Sequence, residues 1–262
     1  MTGRRPGLVR QLSDRDLAIV DAVGQYRVVS GDQIRRWFFP VSEAGSPAGA
    51  LRRSQRVTKR LVDHGVLATL DRRVGGVRAG SAGHCFVLGY RGQRITQPER
   101  RARSAYTLGD RFVAHALDVA EITVALIEAE RHGELEVLAV EPEPQCWRHF
   151  TAATGSVEVL KPDLFTSVGT AEVEHRWFIE VDRATESLAR IENKCRHYLA
   201  YLRSGREQEH HGVFPKVLWT VPSDKRHHQL LGVLARLPPP ADRLFAVTLH
   251  HNTINHLKGG EP

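Results

Sequence analysis

The sequence predicts two domains: an α+β domain of helices and a β-hairpin first, then an α/β domain with a mixed sheet. Three observations lead there. Charge is unevenly distributed, with 20 Lys+Arg against 8 Asp+Glu in residues 1–104 and 17 against 22 in residues 105–262. The hydrophobic period changes from helical to extended near Gly65. A polar, basic stretch, Thr96–Ser104, with almost no apolar residues, separates the halves. A chain of 262 residues suits two modest domains, and its 41% hydrophobic content is enough to build cores.

The first helix opens at Ser13, with Asp16 three residues on as a carboxylate version of the capping box. Leu17, Ile19, Val20 and Val23 supply its apolar positions up to Tyr26. Ser30 caps a second helix, Gly31 to about Phe39, whose buried face is Ile34, Trp37 and Phe38; Pro40 stops it. Val41–Gly49 is small and polar and reads as a loop. A third helix spans about Ala50 to His64 and is closed by Gly65. Leu51, Thr58, Leu61 and Val62 share one face of it. Arg52, Arg56 and Arg60 recur every four residues on another, with Arg53 and Lys59 alongside. Val66–Leu70 and His84–Leu88 are strands, joined by a Gly-rich turn that carries Arg72, Arg73 and Arg78. Three helices followed by a basic hairpin is the order of a winged helix-turn-helix, which places its third helix in the major groove and its wing on the backbone or minor groove. The excess of positive charge fits a polyanionic partner. The expected domains are therefore a winged-helix DNA-binding domain over 1–95, a linker over 96–109 and an α/β domain over 110–262.

Several classes are excluded on composition. No stretch approaches 18 uncharged apolar residues, so no transmembrane helix is expected. The basic N-terminus lacks the apolar run of a secretory signal. Cys85, Cys146 and Cys195 are odd in number and form no CxxC pair, which fits a reducing cytoplasm. The glycines of the turn lack a Gly-Lys-Ser/Thr ending and do not make a P-loop. The pairs His210-His211, His227-His228 and His250-His251, with His256, lack metal-binding spacing and are expected at exposed loops and helix ends.

The second half reads as a long helix, Asp110–His132, then strands at Leu135–Val140, Leu160–Val168 and Arg176–Val181. A helix from Thr185 to Arg203, a strand Val217–Val221, a helix Asp224–Leu237 and a strand Leu244–Thr248 follow. Chemistry concentrates in two places. Lys161-Pro162-Asp163 opens an apolar strand. Glu180 and Asp182 close another, on one face if side chains alternate. Asp163 and Glu180 on adjacent strand ends can share a divalent cation, and oxygen ligands suit Mg²⁺ or Mn²⁺.

This Pro-Asp strand followed by an acidic strand end resembles the PD-(D/E)xK nuclease superfamily, which implies a restriction-endonuclease-like fold. The family lysine would stand where this chain has Asp182. Lys194, within Glu186-Ser-Leu-Ala-Arg190-Ile-Glu-Asn-Lys194, is the candidate replacement from the next helix, and Glu121 or His115 the candidate helix acid. As a whole the chain resembles the replication-relaxation family of bacterial mobile elements. The matching stretches are Leu12–Val20, Arg73–Gly83, Lys161–Leu164, Phe178–Ser187, Lys194–Tyr201 and His211–Trp219. The resemblance implies a protein of plasmids, phages or integrative elements that binds double-stranded DNA, acts in replication, relaxation or conjugative transfer, and works with replication or transfer proteins. Two rivals remain open at this point. One is a Mg²⁺- or Mn²⁺-dependent endonuclease using Asp163, Glu180, Asp182 and Lys194, with Asp163 and Glu180 as metal ligands. The other is a winged-helix transcriptional regulator whose second half forms a homodimer or senses a ligand.

Overall fold

The computed structural model describes residues 11–70, 83–97, 99, 108–152, 154–171 and 173–259. It is a mixed α and β structure whose contacts divide into two compact units, Met1–Val124 and Ala125–Pro262.

The first unit begins with α1 (Asp14–Tyr26), β1 (Val29–Ser30), α2 (Gly31–Phe38), α3 (Val41–Ala44) and α4 (Pro47–Asp63). Strands β2 (Leu67–Leu70) and β3 (Cys85–Leu88) and helix α5 (Tyr90–Thr96) follow. Two full capping boxes start the leading helices. The Asp16 N–H donates to Ser13 Oγ at 3.2 Å and the Ser13 N–H to Asp16 Oδ2 at 2.9 Å. Ser30 and Gln33 repeat the exchange on α2. Each box satisfies two backbone donors that a helix start leaves open.

Ser46 caps α4 and Pro47 stands in its first turn, where the missing N–H of proline costs nothing. The chain from 41 to 49 is therefore not a loop throughout: α3 fills its first half, and α4 starts earlier than the apolar pattern indicates. The buried face of α4 is Ala50, Ser54, Thr58 and Leu61, while Leu51 is exposed. Gly65, at φ +66°, turns the chain into β2. β3 lies between β1 and β2, antiparallel to both.

Helix α6 (Asp110–Arg131) contains the division between the units. Its first half belongs to the first unit: Val113 and Ala116 join Val28, Leu70, Cys85 and Val87 in one apolar cluster. Tyr26 Oη and Thr123 Oγ1 share a buried hydrogen bond of 2.7 Å, and Gln33 Nε2 donates to the Leu117 carbonyl at 2.8 Å.

The second unit is built on five strands. These are β4 (Glu136–Pro142), β7 (Leu164–Thr170), β8 (Val173–Val181), β9 (Lys216–Val221) and β10 (Phe245–Leu249), with the small hairpin of β5 (Arg148–Thr151) and β6 (Val157–Leu160) between β4 and β7. The order is β10-β9-β8-β7-β4, with β8, β9 and β10 parallel and β7 antiparallel to both its neighbours. The single strand expected at 160–168 is two, β6 and β7, broken at Lys161-Pro162-Asp163. Proline, with no N–H, cannot continue a ladder.

Between β8 and β9 come α7 (Leu188–Ser204) and α8 (Arg206–His211). Then come α9 (Asp224–Leu234), α10 (Ala241–Leu244) and, after β10, α11 (Thr253–Leu257). α7 packs against α9. The core gathers Phe178, Ile191, Tyr198, Leu199, Val217, Trp219, Leu230 and Val233. All three cysteines are free and buried. Among the described residues no helix is long and apolar enough to cross a membrane.

Two glycines in helices should respond oppositely to alanine. A Cβ at Gly92 would stand 2.2 Å from the Val66 carbonyl oxygen, a backbone atom that cannot swing aside. At Gly232, within α9, it would meet nothing within 4 Å. Gly232→Ala should raise stability to urea by about 0.5–1 kcal/mol, while Gly92→Ala should lower the melting temperature sharply. Equal effects of the two would show that β2 and α5 are not packed as described.

Candidate functional site

The basic face of α4 divides by what each cation touches. Arg60 Nη2 contacts Asp16 Oδ1 at 2.6 Å, and Asp16 is only 1% exposed. That guanidinium neutralises a buried carboxylate of α1 and ties the two helices together. Lys59 pairs with Asp63 at 2.8 Å on the helix surface, a contact worth under about 0.5 kcal/mol in water. Arg53 Nη1 donates to the Glu43 carbonyl at 3.1 Å. Arg52 and Arg56 are exposed and, among the described residues, meet no carboxylate. They stand one turn apart, where like charges repel and slightly weaken the helix. Arg72, Arg73 and Arg78 lie outside the described residues.

The second constellation stands where β7 and β8 run side by side. Asp163 directly precedes β7, and its backbone N–H donates to the Ile179 carbonyl at 3.2 Å. Its Oδ2 accepts from the Val181 N–H at 2.7 Å. Glu180, one strand over and 1% exposed, is held by α7: the Lys194 ammonium bonds one carboxylate oxygen and the Tyr198 hydroxyl donates to the other. The three residues expected to converge, Asp163, Glu180 and Lys194, are close enough to feel one another's charge. Ser187 caps α7, its Oγ accepting from the Arg190 N–H. The helix start thus fixed, Lys194 and Tyr198 follow four residues apart on one face.

Burial raises the Glu180 carboxyl to about 8 against the pull of the Lys194 ammonium, and the Asp163 carboxylate adds to the rise. Burial works against the charge on Lys194, but Glu180 and Asp163 outweigh it and hold that ammonium above the usual lysine range. Tyr198 is raised by burial and by the charge of Glu180. Burial lifts the thiols of Cys146 and Cys195 to about 12, which keeps both as protonated packing groups.

Asp182 does not join this group. It follows the last residue of β8, so strand alternation no longer governs it. Its two oxygens receive Nε and Nη2 of Arg226 at 2.5 and 3.1 Å. Asp182 is 4% exposed and Arg226 6%, and the guanidinium donates further to the Glu186 carbonyl at 2.8 Å. This is a sealed bidentate pair between the sheet and α9. Glu121 is likewise committed elsewhere, to Arg36 and Gln33 of the first unit.

Among the described residues no three His, Cys, Asp or Glu side chains are grouped as a metal site would need. As placed, Glu180 and Asp182 have no oxygen without a protein donor to offer Mg²⁺ or Mn²⁺. Of the histidines, His210 and His228 bond carbonyls of their own helices. His227 reaches the Val247 carbonyl of β10, and His256 is half-buried edge-on to Trp177.

Sequence reasoning missed Tyr198 and Arg226. Tyr198 was within reach, four residues after Lys194 on a helix already drawn. Arg226 carries no local signal, since 44 residues separate it from Asp182.

The raised Glu180 fixes a sign. Its folded value of about 8 exceeds the ordinary 4.5, so the stability it contributes is complete below 4.5 and is lost as pH rises through about 8. Glu180→Gln copies the neutral form. Urea unfolding between about pH 5 and about pH 9 should show the wild type losing ground to Glu180→Gln as pH rises. A difference between wild type and variant that stays flat over that range would place the carboxylate ionised throughout.

The family model described as replication-relaxation matches residues 21–217, three quarters of the chain. No curated protein and no solved structure matches it. The match spans the α4 arginines as well as Asp163, Glu180 and Lys194. The chain belongs to the replication-relaxation family, which ties it to the replication or relaxation of plasmid or mobile-element DNA.

Proposed function

We propose that the protein is a DNA-binding accessory factor of a bacterial mobile element, acting in plasmid replication, relaxation or conjugative DNA processing. Its first unit serves as a winged-helix head on double-stranded DNA, and its second as a restriction-endonuclease-like domain whose carboxylates are held by the protein's own cations. The observation that carries this is the pair Arg52 and Arg56. They are exposed on α4, the third long helix of a helix–strand–helix–helix–helix–strand–strand order, and they lack carboxylate partners among the described residues. Two like charges one turn apart are a cost to the free helix and a gain beside phosphates.

Replacing Arg52 and Arg56 together by alanine should weaken duplex binding and lower the slope of log K against log salt by about 2, since about 0.9 counterion is released per phosphate contact. The melting temperature should hold. Arg60→Ala should differ, losing about 1–3 kcal/mol of stability because it strands the buried Asp16. Unchanged duplex affinity and slope in the double variant would remove α4 from the DNA interface.

The endonuclease alternative has one observation in its favour, the gathering of Asp163, Glu180 and Lys194. On the accessory-factor reading, Mg²⁺ or Mn²⁺ leaves the melting temperature unchanged and supercoiled plasmid intact. A metal-dependent rise that Glu180→Gln abolishes, together with nicking that Lys194→Ala abolishes, would establish the endonuclease instead.

A further inference from the structure

The hairpin of β5 and β6 has a feature that DNA binding through α4 does not use. Its last register pair is Arg148 with Leu160, so Trp147 and Lys161 face each other just beyond it. Lys161 Nζ lies 4.5 Å from the centroid of the Trp147 ring. Lys161 is exposed and Trp147 half-buried, resting on the core of the second unit. Among the described residues Lys161 has no ion pair and no hydrogen bond, although Glu158 and Asp163 are close in the chain. Trp147 Nε1 has no acceptor among them either, so no polar contact fixes the ring.

The loop that carries Trp147 is joined to the carboxylate site. The Glu143 N–H donates to the Asp163 carbonyl at 3.2 Å, and the buried Cys146 thiol donates to the Pro162 carbonyl at 3.1 Å. On the other side of Trp147, Arg148 turns inward, over Phe165 and Phe178 at 5.3 and 5.5 Å, and pairs with Glu141 and the buried Glu207. Trp147 thus lies half-buried between the buried Cys146 and the inward-turned Arg148, held at the same turn that presents Asp163.

We propose that Trp147 and Lys161 form a platform for a nucleotide of single-stranded DNA, with the base stacked on the indole and Lys161 moved from the ring to the adjoining phosphate. An aromatic face beside a cation with no carboxylate partner among the described residues combines the two elements of sequence-tolerant single-strand binding. A duplex cannot use it, because its bases are stacked on one another. The platform rests on the DNA-binding function proposed above, and it gives the second unit a nucleic-acid form that DNA processing exposes: a melted or nicked strand.

The test uses the full-length protein with a fluorescein-labelled oligo(dT) of about 12 nucleotides, a length within the span of known single-strand sites, and a duplex of similar length. Trp147→Ala should bind oligo(dT) about tenfold more weakly, within the range for one stacked base, and bind duplex as the parent does. Trp147→Phe should recover most of the loss. Lys161→Ala should lower the salt slope for oligo(dT) by about 0.7. No oligo(dT) binding by the parent would overturn the platform, as would equal weakening of oligo(dT) and duplex by Trp147→Ala. If Trp147→Ala does not fold, Lys161→Ala decides, and an unchanged affinity and slope would sink the proposal. Failure of the α4 function shows separately, as duplex affinity insensitive to Arg52 and Arg56.

Discussion

Two carboxylates at the buried end of β8 govern how the second unit is assembled. Glu180 and Asp182 are both almost fully covered, and a carboxyl in such a place needs well-made hydrogen bonds and, wherever it is charged, a partner of opposite sign. The two are answered from different helices. α7 brings Lys194 and Tyr198 to Glu180, and α9 brings Arg226 to Asp182. α7 and α9 pack on each other, so the two polar anchors and the apolar contact between the helices specify one arrangement. A shift of α7 by one residue would turn Lys194 and Tyr198 away and leave the Glu180 carboxyl in the core without its donors. Buried pairs of this kind add little net stability, but the loss of one partner is expensive. Their contribution here is to register.

The same logic sorts the first unit. Asp16 belongs to the capping box of α1 and is also buried, so α4 must supply Arg60. One residue of the basic face is thereby assigned to the fold, and its neighbours Lys59 and Arg53 to local contacts. Of that face, only Arg52 and Arg56 keep their charge uncommitted among the described residues. A count of basic residues on the helix overstates what is offered to a polyanion, and partner by partner the offer narrows to a single turn.

In the second unit the Pro162-Asp163 turn links two surroundings of different polarity. On one side, Asp163 meets the Val181 N–H and the field of Glu180 and Lys194. On the other, Cys146 and Glu143 fasten the loop of Trp147. Proline breaks the strand there, and the break lets one strand end and one hairpin mouth open at the same point of the chain.

Local and repeating features were legible in the sequence alone. The caps at Ser13 and Ser30, the αL turn at Gly65, the apolar periods of α1 and α6, and the family-like stretches all depend on residues within one or two turns of each other. The convergence of Asp163, Glu180 and Lys194 was also within reach, because a strand pairing and one helical turn are enough to bring them together. α3 was missed since four residues with no buried side chain leave no hydrophobic period, and β5 since its hairpin returns before an alternation builds up. What only the tertiary structure decided is which charge meets which. Arg60 goes to Asp16 across 44 residues and Arg226 to Asp182 across another 44, pairings set by where the helices dock on their neighbours. Burial turns an exposed-looking carboxylate into one that must have a cation, and burial is a property of the packed chain that no local pattern of residues contains.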